Sequence, residues 1–96
     1  MEIKVQSIKF DADQKLLDFI DNKVGKIAKY YEDIVRTEVN LSLLADPQNK
    51  NVKIIVYIPG TEIIVEKNSD TFEEAIVNCV GVLKGALVSA KEKRFK

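Results

Sequence analysis

The stretch Asp13 to Tyr31, DQKLLDFIDNKVGKIAKYY, decides the fold of this chain. Leu16, Ile20, Val24, Ile27 and Tyr31 recur at steps of four, four, three and four, which draws one apolar stripe along an α-helix. A helix with a single apolar stripe buries it against another element, and Asp13 in front of it predicts an N-cap. Lys15, Lys23, Lys26 and Lys29 fall off the stripe, and Lys26 and Lys29 lie three apart beside Tyr30. Lysines off a core stripe are most simply a solvated surface. They become a candidate face for an anion such as the phosphate backbone of RNA only if a second basic element lies alongside.

Outward from this helix the periodicity changes to two. Before it, Ile3 and Val5 alternate with Lys4 and Gln6, and Ile8 and Phe10 continue on the opposite parity, which predicts a strand with a bulge near Ser7. After it, Glu32 and Asp33 mark the helix end. Thr37, Val39, Leu41 and Leu43 then form one face of a second strand. Asp46 to Asn51 reads as a turn. Val52, Ile54, Val56 and Ile58 line a third strand, Pro59-Gly60 turns the chain, and Ile63-Ile64-Val65 is the centre of a fourth. Asp70 and Glu73 predict a capping box ahead of a last helix with the core stripe Phe72, Ile76, Cys79, Leu83, Leu87 and Ala90. The order β-α-β-β-β-α, with one apolar stripe per helix, predicts an α+β two-layer sandwich: a four-stranded mixed sheet with both helices on one face. The other face carries Glu38 and Lys53 but also Leu44, Ile55, Tyr57 and one of Ile63 or Ile64, so it is partly apolar.

Residues 1–96 are expected to form one domain. Lys+Arg and Asp+Glu are equal at 15 each, which excludes binding to nucleic acid by bulk charge; any anion site must arise from segregation of that charge. The tract Ala75 to Ala90 contains Asn78, Lys84 and Ser89 and is shorter than the roughly 20 residues of a membrane-spanning helix, so no membrane partner is expected. The start Met1-Glu2-Ile3-Lys4 runs directly into a strand pattern without a charged-then-apolar leader, which predicts a cytoplasmic protein. Cys79, the one cysteine, falls on the apolar side of the last helix and reads as a core residue.

A second basic element closes the sequence. KGALVSAKEKRFK, from Lys84 to Lys96, holds Lys84, Lys91, Lys93, Arg94 and Lys96 against the single acid Glu92. The helix dipole alone favours acids such as Glu73 and Glu74 at the start of this helix and bases at its end. Two helices side by side on one sheet nevertheless place the lysines of the first next to the basic end of the second if they run parallel. A groove with amines on both walls is the segregation that phosphate binding requires.

Catalytic chemistry is nearly absent. Without histidine the commonest general base and metal ligand is missing, one cysteine builds no thiolate zinc site, and no glycine-rich phosphate loop occurs. Asp18 and Asp21 are explained by a solvated face on which Asp18 pairs with Lys15. We therefore expect no enzyme, no catalytic residue, no metal, no cofactor and no small-molecule substrate.

The segments SIKFDADQKLLDFI and KVGKIAKYYEDI, the strand Val39-Asn40-Leu41, the turn Ile58-Pro59-Gly60 and the DTFEEAI start of the last helix resemble the ribosome hibernation-promoting factor family, also called ribosome-associated inhibitor or sigma-factor modulation proteins, in its short form. The resemblance covers nearly the whole chain and implies the same β-α-β-β-β-α fold. It further implies a translation inhibitor of stationary or starved cells that contacts rRNA of the small ribosomal subunit in the mRNA and tRNA channel. The basic residues it carries over are Lys23, Lys26 and Lys29 on the first helix and Lys84, Lys91, Lys93 and Arg94 on the last; Tyr30 lies among them. The last helix departs from the family pattern, which runs like LRRQLKKxKEK: here LKGALVSAKEK puts Gly85, Val88 and Ser89 where basic residues are usual. Gly81, Gly85 and Ser89 then recur at four-residue spacing, with Val77 and Val88 off the core stripe. We expect the first helix to cover those valines. The alternative is a second copy of the protein, in a weak homodimer through the last helix, and with it an interaction module that has lost ribosome binding. A double-stranded RNA reader shares a related α-β-β-β-α order but lacks the preceding strand.

Overall fold

The computed structural model describes residues 2–45 and 49–94. The chain runs β1 (Glu2–Ser7), α1 (Gln14–Gly25), a 3-10 turn (Lys26–Lys29), β2 (Arg36–Leu43), β3 (Lys50–Ile58), β4 (Thr61–Ser69) and α2 (Phe72–Arg94). The four strands form one sheet in the order β1-β2-β3-β4. β1 lies parallel to β2, with Val5 opposite Val39, while β2-β3 and β3-β4 are antiparallel. This is the mixed sheet and element order that the periodicities predict.

Alternation builds the core. Val39 and Leu41 on β2, Val52, Ile54 and Val56 on β3 and Val65 on β4 point to the helical layer, where they meet Ile20, Val24 and Ile27 from the first helical segment and Ile76, Cys79, Leu83 and Leu87 from α2. Each large side chain buried in this way contributes roughly 1.5–3 kcal/mol. Because β4 runs in the same direction as β1, and each helix turns back along the strand before it, α1 and α2 lie side by side and parallel. Ring contacts mark the two ends of that pair. Phe10 stacks on Phe72 at 5.1 Å near the helix starts, and Tyr30 meets Lys84 near the end of the first helical segment.

The other sheet face is uncovered. Ile64 pairs with Ile55 there and is 50% exposed, while Ile63 pairs with Val56 on the core side. The Arg36 guanidinium stands 4.1 Å from the Tyr57 ring and donates to Glu38 at 3.3 Å. Asn51 receives the Ser42 hydroxyl and donates to Asn68, so three strands are joined by side chains at that end of the face.

Five expectations need correction. There is no bulge at Ser7: β1 pairs without interruption from Glu2 to Ser7, and the parity changes because Lys9 takes φ +67 and swings Phe10 back to the core. The first helix does not continue as α-helix to Glu32; it tightens to a 3-10 turn at Lys26. Lys50 and Asn51 belong to β3 rather than to the preceding turn, whose residues 46–48 lie outside the described residues. The cap of α2 is Thr71, one residue later than Asp70, its Oγ1 accepting the Glu74 N–H at 3.1 Å. Asp18 accepts from Gln14 at 2.8 Å in place of the expected Lys15 partner. The predicted cap of the first helix is present, with Asp13 accepting the Leu16 N–H at 2.8 Å.

Candidate nucleic-acid interface

The 3-10 turn shapes one wall of the site. At about three residues per turn, side chains at i and i+3 eclipse, so Lys26 and Lys29 stand directly above one another on the exposed side while Ile27 goes into the core. Tyr30, next in the chain, is half-buried against the core. The opposite wall is α2, on which Lys84 and Lys91 are seven residues and two turns apart and share a face.

The two walls meet at Tyr30. The Lys29 ammonium lies 5.2 Å from the centre of the Tyr30 ring and that of Lys84, from the other helix, lies 5.6 Å away. Lys29, Tyr30, Val88, Lys91 and Glu92 line an open groove of about 400 Å³ at the same place. Cations over an aromatic face are attracted to its quadrupole by about 0.5–1 kcal/mol each when exposed, which offsets part of the repulsion between two neighbouring ammonium groups. Two amines from separate helical segments thus converge on one ring, and Lys91 lines the same groove together with the acid Glu92.

Not every predicted residue joins this groove. Lys26 continues the row from Lys29 along the 3-10 turn. Lys23 is half-buried with its ammonium held 5.7 Å from the Phe19 ring, a turn back along α1 and towards the other end of the helix pair. Lys93 lies about 200° round α2 from Lys91, two residues on, and so falls on the far side of the helix. The Arg94 side chain lies outside the described residues. Val88 and Glu92 enter the groove without having been read as lining residues; position 88 lies four residues after Lys84, the spacing at which helix neighbours share a face.

The outer face of α2 corrects a further expectation. The first helix does not cover the off-stripe valines: Val77 is 50% and Val88 38% exposed, and a Cβ built on Gly81 or Gly85 meets only open space. The Val77–Gly81–Gly85 line begins beside the Lys84 face, Val77 lying seven residues before Lys84, and turns outward along α2 until Gly85 stands about 100° round from it.

At the far end of the helix pair, Phe10, Phe19 and Phe72 floor a second groove edged by Asp11, Asp13, Glu73 and Lys15. Acids therefore gather where the helices begin and amines where they converge on Tyr30, which is how a chain of zero net charge acquires a basic surface. Among the described residues no helix is long and apolar enough to cross a membrane, and no group of three or more Cys, Asp or Glu side chains is placed to hold a metal ion.

Residues 3–94 match the family model described as sigma 54 modulation protein / S30EA ribosomal protein. No curated protein matches the sequence. Among solved structures, the fold is similar to the Protein Y N-terminal domain of Thermus thermophilus, with a TM-score of 0.80 and 23% identity over 100% of both chains. It is also similar to a ribosomal subunit interface protein from Coxiella burnetii, with a TM-score of 0.86 and 20% identity over 96% of this chain and 99% of that one.

Proposed function

This chain belongs to the sigma 54 modulation protein / S30EA ribosomal protein family, and from that premise we propose that it binds rRNA of the small ribosomal subunit and inhibits translation by occupying the mRNA and tRNA channel. The observation that carries the reading is the convergence of Lys29 and Lys84, from separate helices, on the Tyr30 ring, with Lys91 in the same groove and Lys26 beside it. Phosphate oxygens are the natural occupants of such a cluster, because each lysine that contacts one releases a condensed counterion. The action is steric occlusion in idle ribosomes, in the cytoplasm, and needs no catalysis, cofactor or small-molecule substrate. Residues 1–96 act as a single domain in this reading, with Lys26, Lys29, Tyr30, Lys84 and Lys91 as the central contacts and Lys23, Lys93 and Arg94 as outlying ones.

Sedimentation of the purified protein with ribosomes through sucrose gradients tests the proposal. Co-sedimentation with the small subunit at low salt, lost as salt is raised, is the expected result. Protein that stays at the top of the gradient even at low salt overturns it.

One observation favours a second reading, self-association through α2. Its outer face exposes Val77 and Val88 on either side of the open glycines Gly81 and Gly85. A second copy could approach there as closely as small residues allow. This face adjoins the amine row, with Val77 seven residues before Lys84 and Val88 in the Tyr30 groove, so a weak homodimer and a ribosome-bound monomer are alternative states of one chain.

A further inference from the structure

We infer that the groove over Tyr30 seats one unstacked nucleotide, its base lying against Tyr30 and Val88 and its phosphate taken by Lys29, Lys84 and Lys91. The inference rests on the RNA-binding reading and deepens it, from charge contact with a backbone to capture of a single-stranded residue.

A surface that recognises only a phosphate backbone needs amines and little else. This groove also contains a half-buried aromatic ring and an aliphatic wall, Tyr30 and Val88, set between those amines. Ring and valine together present the kind of apolar platform on which a base stacks without regard to sequence, while the lysines supply the electrostatic half of single-strand recognition. In the free protein two ammonium groups cover the ring. Their hold on an exposed ring is weak, and a phosphate offers them charge-assisted hydrogen bonds that are stronger. The ligand that draws the lysines aside is therefore the one whose base can take their place. A paired base cannot do this, because it is held within its own stack, whereas a loop or single strand can splay a base outwards. Glu92 repels phosphate at its own end of the groove, so the backbone is directed along the Lys29 and Lys84 side.

The test uses the full chain with a short fluorescein-labelled oligouridylate and a hairpin RNA duplex of the same length, read by fluorescence anisotropy. The single strand should bind more tightly than the duplex. Tyr30→Leu should weaken single-strand binding about fivefold or more, since an aromatic stacking contact is typically worth at least that much, and should leave the salt slope unchanged. Tyr30→Phe should bind like the parent, because the ring and not the hydroxyl does the work. Should Tyr30→Leu fail to fold, irradiation of the unmodified protein with iodouridine-substituted RNA gives an independent readout, with the cross-link expected on the peptide that contains Tyr30. Equal affinity for the duplex, undiminished binding by a folded Tyr30→Leu, or a cross-link confined to other peptides each overturns the nucleotide seat. Ribosome co-sedimentation that survives Tyr30→Leu but is lost in Lys29→Ala/Lys84→Ala would leave the rRNA-binding reading standing while the stack falls. Loss of co-sedimentation by the parent chain itself removes that reading separately.

Discussion

The Lys84 ammonium of α2 stands 5.6 Å from the centre of the Tyr30 ring, at the end of the first helical segment, and joins the two helices at their basic end. The contact couples wall to wall, since Lys84 is carried by α2 and Tyr30 by the segment that follows α1.

If that junction is the centre of the RNA surface, Lys29→Ala/Lys84→Ala should reduce ribosome co-sedimentation and flatten its salt dependence by about two units of slope, roughly one per lost phosphate contact. Both lysines are exposed, so the midpoint of urea unfolding should move by no more than about 0.5 kcal/mol in stability. Unchanged binding by this double variant would show that the phosphate contacts lie elsewhere.

Lys9 supplies a prediction about the fold. It is an exposed, non-glycine residue at φ +67, a conformation that costs an L-residue roughly 1–2 kcal/mol, and it redirects the chain from β1 so that Phe10 can stack on Phe72. Lys9→Gly should therefore stabilise the protein by up to about 1 kcal/mol in urea unfolding, the relief of strain being partly offset by the extra freedom of glycine in the unfolded chain. Lys9→Val should destabilise it. A glycine variant less stable than the parent would refute the strain argument.

The strands, both helices and nearly all of the core were legible because one-sided burial imposes a period of two or 3.6, and the stripe from Leu16 to Tyr31 and that from Phe72 to Leu87 both point inwards. What escaped was geometry that periodicity does not encode. The step of three between Val24 and Ile27 is compatible with an α-helix and with a 3-10 turn alike, and only packing decides between them. Two overlapping capping signals, Asp70 with Glu73 and Thr71 with Glu74, precede α2, and the structure uses the second. The candidate site was legible as two lysine-bearing helices. The meeting of Lys84 with Tyr30 was not, because it depends on how close the helices pack and on the direction in which each long side chain leans. Lys23 shows the same limit from the other side, since Phe19 holds it away from the groove.

Cys79 predicts a pH dependence. Its thiol is fully buried, with Sγ 3.6 Å from the Val52 carbonyl oxygen, and loss of solvent pushes its pKa up from 9.0 to about 11. The folded state thus keeps the proton where the unfolded chain loses it. The contribution is fully present below pH 9 and is lost as pH rises to about 11, amounting to about 2–3 kcal/mol at 1.36 kcal/mol per pH unit. Urea unfolding of the parent between these limits should show a steeper loss of stability than that of Cys79→Ala, whatever the offset between the two at neutral pH. Identical pH slopes would mean that the thiol ionises as readily folded as unfolded.

The outer face of α2 carries the last prediction. Val77 and Val88 are eleven residues apart, about three turns, and so share one line with Gly81 and Gly85 between them. If two copies pack these helices antiparallel, Val77 lies against the partner's Val88, the glycines allow the backbones to approach, and Glu74 comes near the partner's Lys91. Such an arrangement is self-complementary in shape and charge, as a two-fold interface requires. Val77→Glu is the informative variant, because Val88 also lines the Tyr30 groove and its replacement would disturb both surfaces. Analytical ultracentrifugation should show concentration-dependent dimerisation of the parent and a monomer for Val77→Glu, with ribosome co-sedimentation unchanged. A parent that remains monomeric at every concentration would leave the exposed valines as ordinary surface residues. A variant that loses ribosome binding along with self-association would instead place the outer face of α2 within the ribosome contact.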